Sequence, residues 1–259
     1  MPRLAANLTM LFTEVPFLER FGRAARAGFK GVEFLFPYAH PPGAVAEAAK
    51  SHGLEVALFN VPPGDWDAGE RGFASLPGRE ADFEASLETA LPYLKALEAR
   101  RLHVMAGIPP TEADPRACRE TFVGNLRKAA AVLAPHGVEA LIEPVNRRDM
   151  PGFFLERQED AVALLDEIDA PNTGLQMDFY HCQIVQGDLT VNLRRNFARI
   201  RHIQISAVPE RHEPDTGEID YTHILGELDR LGYAGWVGCE YRPAGATEDG
   251  LGWARPYLD

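Results

Sequence analysis

The sequence predicts an α/β chain folded as a single (β/α)8 TIM barrel over residues 1–259. Three observations carry this. Eight short apolar runs alternate with longer runs of helical period, the pattern of a parallel sheet with helical crossovers. Eight such units in 259 residues match the size of a closed barrel. No linker rich in proline, glycine or serine divides the chain, and no shift in composition does. A doubly wound sheet is the alternative. It opens with a glycine-rich phosphate turn after its first strand, and "NLTMLFTEVP" has none.

In chain order, the first strand is "LAANL" (4–8), followed by a helix over 16–27. Phe17, Leu18, Phe21 and Ala24 line one face of that helix, and Gly28 stops it. "GVEFLF" (31–36) is the second strand, with a short helix over 44–49 that closes at Gly53. "LEVALFN" (54–60) is the third, and a long glycine-rich loop (64–80) leads from it to a helix over 80–97. "RLHVMAG" (101–107) precedes a helix over 115–133, with Gly137 as C-terminal cap. The remaining strands are "EALIEP" (139–144), "TGLQMD" (173–178), "RHIQIS" (201–206) and "GWVGCE" (235–240). Helices over 158–168, 189–197 and 221–231 connect them, the last capped by Gly232.

Composition narrows the function. With 26 Lys and Arg against 38 Asp and Glu, the formal net charge is −12. Such a surface repels phosphate backbones, and no basic stripe with interleaved aromatics offsets it, so no nucleic-acid partner is expected. Cys118, Cys182 and Cys239 are odd in number and lack CxxC spacing, which argues against a disulfide framework and a structural zinc site. The N-terminal residues lack the apolar core of a signal peptide, and no run reaches membrane-spanning length. The expected setting is reduced and cytoplasmic, with no membrane partner.

The chemistry sits at the strand ends. The apolar run Ala140-Leu141-Ile142 ends in Glu143 and then Pro144, and a carboxylate at the tip of a buried strand is costly unless something pairs with it. The event recurs as Asp178 after the sixth strand, Gln204 on the seventh and Glu240 after the eighth. The C-terminal strand tips of a barrel converge on one mouth, so three carboxylates and one amide oxygen arrive together. Like charges brought that close repel, and a divalent cation resolves the conflict. An all-oxygen donor set suits one hard ion, Mg²⁺ or Mn²⁺, better than Zn²⁺.

Four further residues are candidates for contact with a substrate. His181, in "DFYH", either leans over the ion or caps and packs locally. Arg211, in "VPERHEP", either binds a substrate carboxylate through bidentate hydrogen bonds or is solvated. Trp66 and Arg71 lie in the 64–80 loop, whose length marks a lid or binding element. Glu33 is expected to pack or to hydrogen-bond behind the site. His40, His52, His136 and His223 read as surface or cap residues.

"VEFLFPY", "GDW" with "GERG", "PGRE", "EPVNRRDMPGFFL", "LQMDFYH", "HIQI" with "GEI", and "GWVGCEY" together resemble the hydroxypyruvate isomerase family. That family belongs to the xylose isomerase-like barrel superfamily, with sugar epimerases and the endonuclease IV enzymes as distant relatives. The likeness runs in order from the first strand to about Pro243. It implies that Glu143, Asp178, Gln204 and Glu240 are metal ligands and that Glu143 and Glu240 are the catalytic proton-transfer pair. Glu210 departs from the pattern, standing where a glycine is expected before the arginine, and "NVPPGDW" differs slightly from the usual loop.

The reaction implied is the interconversion of hydroxypyruvate and tartronate semialdehyde by proton transfer through an enediolate. A 2-oxo-tetronate isomerase or a ketose epimerase would use the same metal site, so the small-molecule partner is a 2-oxo or hydroxy acid whose length the pocket loops decide. DNA repair needs a multi-zinc cluster rich in histidine, and the chain has Gln204 where a histidine could sit. A catalytically inactive barrel used for binding is the remaining class.

Overall fold

Parallel strands in a barrel are covered on both faces, so continuous apolar runs rather than alternating ones form them. The computed structural model describes residues 1–258 and contains β1 (Arg3–Asn7), β2 (Gly31–Phe34), β3 (Glu55–Asn60), β4 (Arg101–His103), β5 (Glu139–Ile142), β6 (Thr173–Asp178), β7 (Ile200–Ile205) and β8 (Trp236–Cys239). Each strand pairs in parallel with its neighbours in sequence, and β1 also pairs with β8, so the sheet closes. The register sets Asp178 beside Gln204 and Gln204 beside Gly238, which brings three consecutive strands to the same height.

The helices are α1 (Phe17–Arg26), α2 (Pro42–Lys50), α3 (Glu80–Leu97), α4 (Pro115–Leu133), α5 (Gln158–Ile168), α6 (Phe179–Val185), α7 (Leu189–Asn196) and α8 (Tyr221–Arg230). They lay apolar faces on the outside of the barrel, where Phe21, Phe59, Leu102, Ile142, Leu165 and Ile203 belong to one continuous core. Each such side chain contributes about 1.5–3 kcal/mol by burial.

Three sequence expectations need correction. Residues 104–107 are not part of β4, because the Ala106 carbonyl accepts from Ser75 N–H and the Gly107 carbonyl from Phe154 N–H. Loops, rather than a neighbouring strand, take those bonds. The fifth ladder ends at Ile142, and Glu143 and Pro144 lie just beyond it, since proline has no N–H to donate. The helix α6 was not expected. It starts directly on Asp178, whose Oδ1 accepts from Tyr180 N–H at 2.8 Å. Phe179, Tyr180, His181 and Cys182 are all buried, so no polar face marks its period.

The barrel interior is stratified. Ala5, Ala57 and Trp236 form a small separate apolar cluster. On β2 the buried Glu33 side chain reaches across to β8, where a Cβ on Gly238 would stand 2.3 Å from its carboxylate oxygens. Only glycine leaves room there for the charge.

Candidate active site

Glu143 follows β5, Asp178 ends β6 and Glu240 follows β8. Their exposures are 7%, 0% and 5%. One oxygen from each, with a ring nitrogen of His181, lie within 4.8 Å of one another. Glu143 Oε1 and Asp178 Oδ2 have no hydrogen-bond partner. Burial raises all three carboxyls above the ordinary range. Nearby carboxylates add to this: at Glu143, Glu240 and Asp178 follow burial as causes, whereas at Asp178 and Glu240 burial is first opposed by Arg211.

Arg211 is the cation set against this charge. Its Nη2 donates to Glu240 Oε2 at 2.6 Å and lies 3.6 Å from Asp178 Oδ2, while Nη1 donates to Asp149 Oδ2 at 3.2 Å. Its guanidinium stacks over Tyr180, 4.7 Å from the ring centre. Burial disfavours that charge, but Glu240, Asp178 and Asp149 outweigh it and hold the group protonated. One guanidinium does not neutralise three converging carboxylates. Two oxygens without partners, a surplus of negative charge and hard donors together fit a divalent cation.

Gln204 is inside the barrel, but its side chain is engaged by Gln176 and Glu33 rather than by Glu143, Asp178 or Glu240. Its Oε1 accepts from Gln176 Nε2 at 2.6 Å and its Nε2 donates to Glu33 Oε1 at 2.9 Å. Glu33 also accepts from Asn7 Nδ2 at 3.0 Å and meets His202 Nε2 at 2.6 Å. Asn7 Nδ2 reaches Glu240 Oε1 at 3.2 Å, so Glu33 takes the supporting hydrogen-bond role expected of it. His103 lies under Glu143, its Nδ1 3.6 Å from Oε2, and burial pushes its pKa down to about 3, leaving the ring neutral.

His181 sits in the first turn of α6 with Nε2 3.6 Å from Asp178 Oδ2 and 3.9 Å from Glu143 Oε1. Burial, then Arg211, holds its pKa well below the usual value. Trp66 and Arg71 are joined to each other instead. The Arg71 guanidinium lies 3.6 Å over the indole, and Nη1 donates to the carbonyls of Trp66 and Glu70. Trp66 in turn meets Phe36, two residues beyond β2, with ring centres 5.4 Å apart. Glu210 is exposed, and among the described residues it forms no ion pair with Arg211.

Sequence reasoning missed Asn7, His103, Asn146, Asp149, Gln176 and His202. Three of these carried a readable signal: Gln176 stands two residues before Asp178, His202 two before Gln204, and Asn7 ends an otherwise apolar strand. Among the described residues, no helix is long and apolar enough to cross a membrane.

The model of the family described as xylose isomerase-like TIM barrel matches residues 21–257. The 2-oxo-tetronate isomerase of Cupriavidus necator is 54% identical over 100% of this chain and 99% of its own. The hydroxypyruvate isomerase of Escherichia coli is 42% identical over 99% of this chain and 100% of its own. A crystal structure from Brucella melitensis, named an AP endonuclease of family 2, superposes with a TM-score of 0.98 at 52% identity, covering 100% of both chains. With a closed barrel, converging carboxylates and full-length relatives that are isomerases, the chain belongs to the xylose isomerase-like TIM barrel family and, within it, to the hydroxypyruvate and 2-oxo-tetronate isomerases.

Proposed function

We propose that the protein is a metal-dependent isomerase that moves the carbonyl of a short 2-oxo acid by one carbon, with 2-oxo-tetronate as substrate. The observation that carries this is the meeting of Glu143, Asp178 and Glu240 within 4.8 Å, buried, with two oxygens free of partners. The longer acid is favoured over hydroxypyruvate because the relative bearing its name is 54% identical and the hydroxypyruvate isomerase 42%. Hydroxypyruvate is the second reading, and it uses the same chemistry.

Glu143, Asp178 and Glu240 would hold the ion, and Gln204 would join them through Oε1, which here accepts from Gln176. Mg²⁺ or Mn²⁺ suits those donors. Bound there, the ion supplies positive charge that stabilises an enediolate. The rest of the chemistry belongs to side chains. One glutamate takes the proton from the hydroxyl-bearing carbon, the other returns a proton to the former carbonyl carbon, and the hydroxyl proton passes to the former carbonyl oxygen, so that the exchange balances. Both oxygens of Glu240 are engaged, by Asn7 and Arg211, so Glu143, whose Oε1 accepts no hydrogen bond, is the less constrained of the two. In the metal-free protein, burial first and then neighbouring carboxylates raise both carboxyls, Glu240 to about 8 with Arg211 opposing. His181 donates to a substrate oxygen. Arg211 limits the charge on Glu240, and Trp66 and Arg71 close the pocket over the substrate's far end.

A DNA-repair reading, suggested by the name of the Brucella structure, is not favoured. The candidate ion site holds one histidine, and the net charge is −12. Proton NMR in heavy water, with Mg²⁺-loaded protein and a panel of 2-oxo-tetronate, hydroxypyruvate and free ketoses, tests the proposal. Turnover of 2-oxo-tetronate with deuterium entering at carbon, abolished by Glu143→Gln, is the expected result. Turnover without deuterium would overturn proton transfer, and silence on both acids would overturn the substrate class.

A further inference from the structure

The ring of His181 poses a choice that hydrogen bonding decides. Its Nε2 faces the carboxylates, so it could serve either as a metal ligand through a lone pair or as an N–H donor. Its other nitrogen, Nδ1, meets the Asn146 side-chain amide nitrogen at 2.6 Å and the Asn146 backbone N–H at 3.4 Å. The orientation of that amide is not arbitrary. Asn146 Oδ1 accepts from Asp149 N–H at 2.8 Å, which turns the oxygen away and presents the NH₂ to the histidine. A second bond, from Met150 N–H to the Asn146 carbonyl, closes the same turn.

Two N–H groups therefore point at Nδ1. A hydrogen on Nδ1 would collide with both, so Nδ1 accepts and the ring proton sits on Nε2. Asn146 is fully buried and His181 nearly so, and no solvent rearrangement offers Nδ1 another partner. Metal ligation through Nε2 would demand the opposite tautomer. It would also need an acceptor for Nδ1–H, the partner metal-bound histidines usually have, and here a donor stands in that place.

We propose that Asn146 is a positioning residue that fixes the tautomer of His181, making His181 an Nε2–H donor to a substrate oxygen and excluding it from the ion's ligands. The donor role rests on the isomerase reading above; the tautomer does not. The turn that positions Asn146 begins three residues after Glu143, so strand β5 delivers one carboxylate to the ion and, from the same loop, the group that prepares its neighbour. Asp149 joins this unit to Arg211, since its backbone orients Asn146 while its side chain accepts from the guanidinium.

The test is a long-range ¹H–¹⁵N correlation spectrum of histidine-labelled, Mg²⁺-loaded protein, with kinetics on the same samples. Wild-type His181 is expected to show a protonated Nε2 and a bare Nδ1. In Asn146→Asp the carboxylate accepts from Nδ1–H, so the tautomer reverses, and kcat is expected to fall about 30-fold or more with KM changed less than about threefold. Asn146→Ala keeps only the longer backbone donor, at 3.4 Å, and is expected to give a mixture of both tautomers and a fall in kcat smaller than that of Asn146→Asp. A proton on Nδ1 in the wild-type spectrum overturns the proposal without any variant. A reversed tautomer in Asn146→Asp with unchanged kcat overturns the donor role. Absence of turnover by the wild type on every 2-oxo acid would fail the isomerase reading, while the spectrum still decides the tautomer.

Discussion

Arg211 Nη2 lies 2.6 Å from Glu240 Oε2, and both side chains are buried at the barrel mouth. The pair joins the loop after β7 to the tip of β8 and sets how much negative charge the site carries. Arg211 is thus an internal counter-ion, bonded to Glu240 and Asp149, before any substrate arrives. Replacing it with methionine keeps much of the volume and leaves Glu240 without its partner. We expect Arg211→Met to lower the stability of the metal-free protein by about 3 kcal/mol near pH 8. Near pH 5 the loss should be smaller, because a protonated Glu240 no longer needs the cation. Urea denaturation at the two pH values measures both. Equal losses would mean the arginine acts by packing alone.

Divalent-ion affinity should rise with pH. Burial first, and then neighbouring carboxylates, raise Asp178 to about 6 and Glu240 to about 8, with Arg211 opposing. These folded-state values lie above the unfolded ones, so the folded chain holds more protons between about pH 4 and 8. Stability of the metal-free protein therefore falls as pH rises through that window. An ion displaces the same protons, and its affinity should increase by up to about tenfold per pH unit for each proton displaced. Calorimetric titration of chelator-stripped protein with Mg²⁺ or Mn²⁺ near pH 6 and pH 8 reads this directly. A flat profile would show that the carboxyls are already ionised without an ion.

How far the sequence led depends on which physical signal each residue leaves. Apolar runs and glycine stops disclose the eight strands because burial on both faces admits little else. Glu143, Asp178 and Glu240 stand out because a charge closing an apolar run breaks that rule. Asn146 leaves no such mark. It lies in the loop "NRRDM", and its importance comes from its bond to His181, a contact across the fold, and from the local turn in which Asp149 N–H orients its amide. Gln204 was legible as an inward polar residue, but its partners Gln176 and Glu33 come from two other strands, and pairing across a barrel is set by register. The helix α6 stayed hidden because it is only seven residues long and its first four are all buried, which leaves no amphipathic period to read.

Glutamine at Glu143 should separate catalysis from folding. The carboxylate is buried, one oxygen lacks a partner, and its ionisation is disfavoured by burial and by Glu240 and Asp178. Glu143→Gln keeps the shape and removes that charge. We expect kcat to fall by about 10²–10⁴-fold while the midpoint of urea unfolding stays level or rises in the metal-free state. Both are measured on the same preparation. A large fall in stability matching the loss of activity would assign Glu143 to the scaffold.

The loop bearing Trp66 and Arg71 depends on a glycine for its seat. Gly72 has φ +104°, and a Cβ there would stand 2.4 Å from the Met105 carbonyl oxygen. Backbone rather than a movable side chain fills that space, so alanine has no rotamer escape and the loop must lift. Three residues on, Ser75 N–H donates to the Ala106 carbonyl at 2.8 Å, so lifting the loop also strains its bond to the segment after β4. Gly72→Ala should cost about 1–3 kcal/mol of stability from the left-handed backbone and the clash together. If Trp66 and Arg71 meet the substrate's far end, KM should rise by about tenfold with kcat lowered less, and more for a four-carbon acid than for hydroxypyruvate. Steady-state kinetics on both acids gives that ratio. An equal change in KM for the two would remove this loop from the determination of substrate length and leave it a structural brace between β3 and β4.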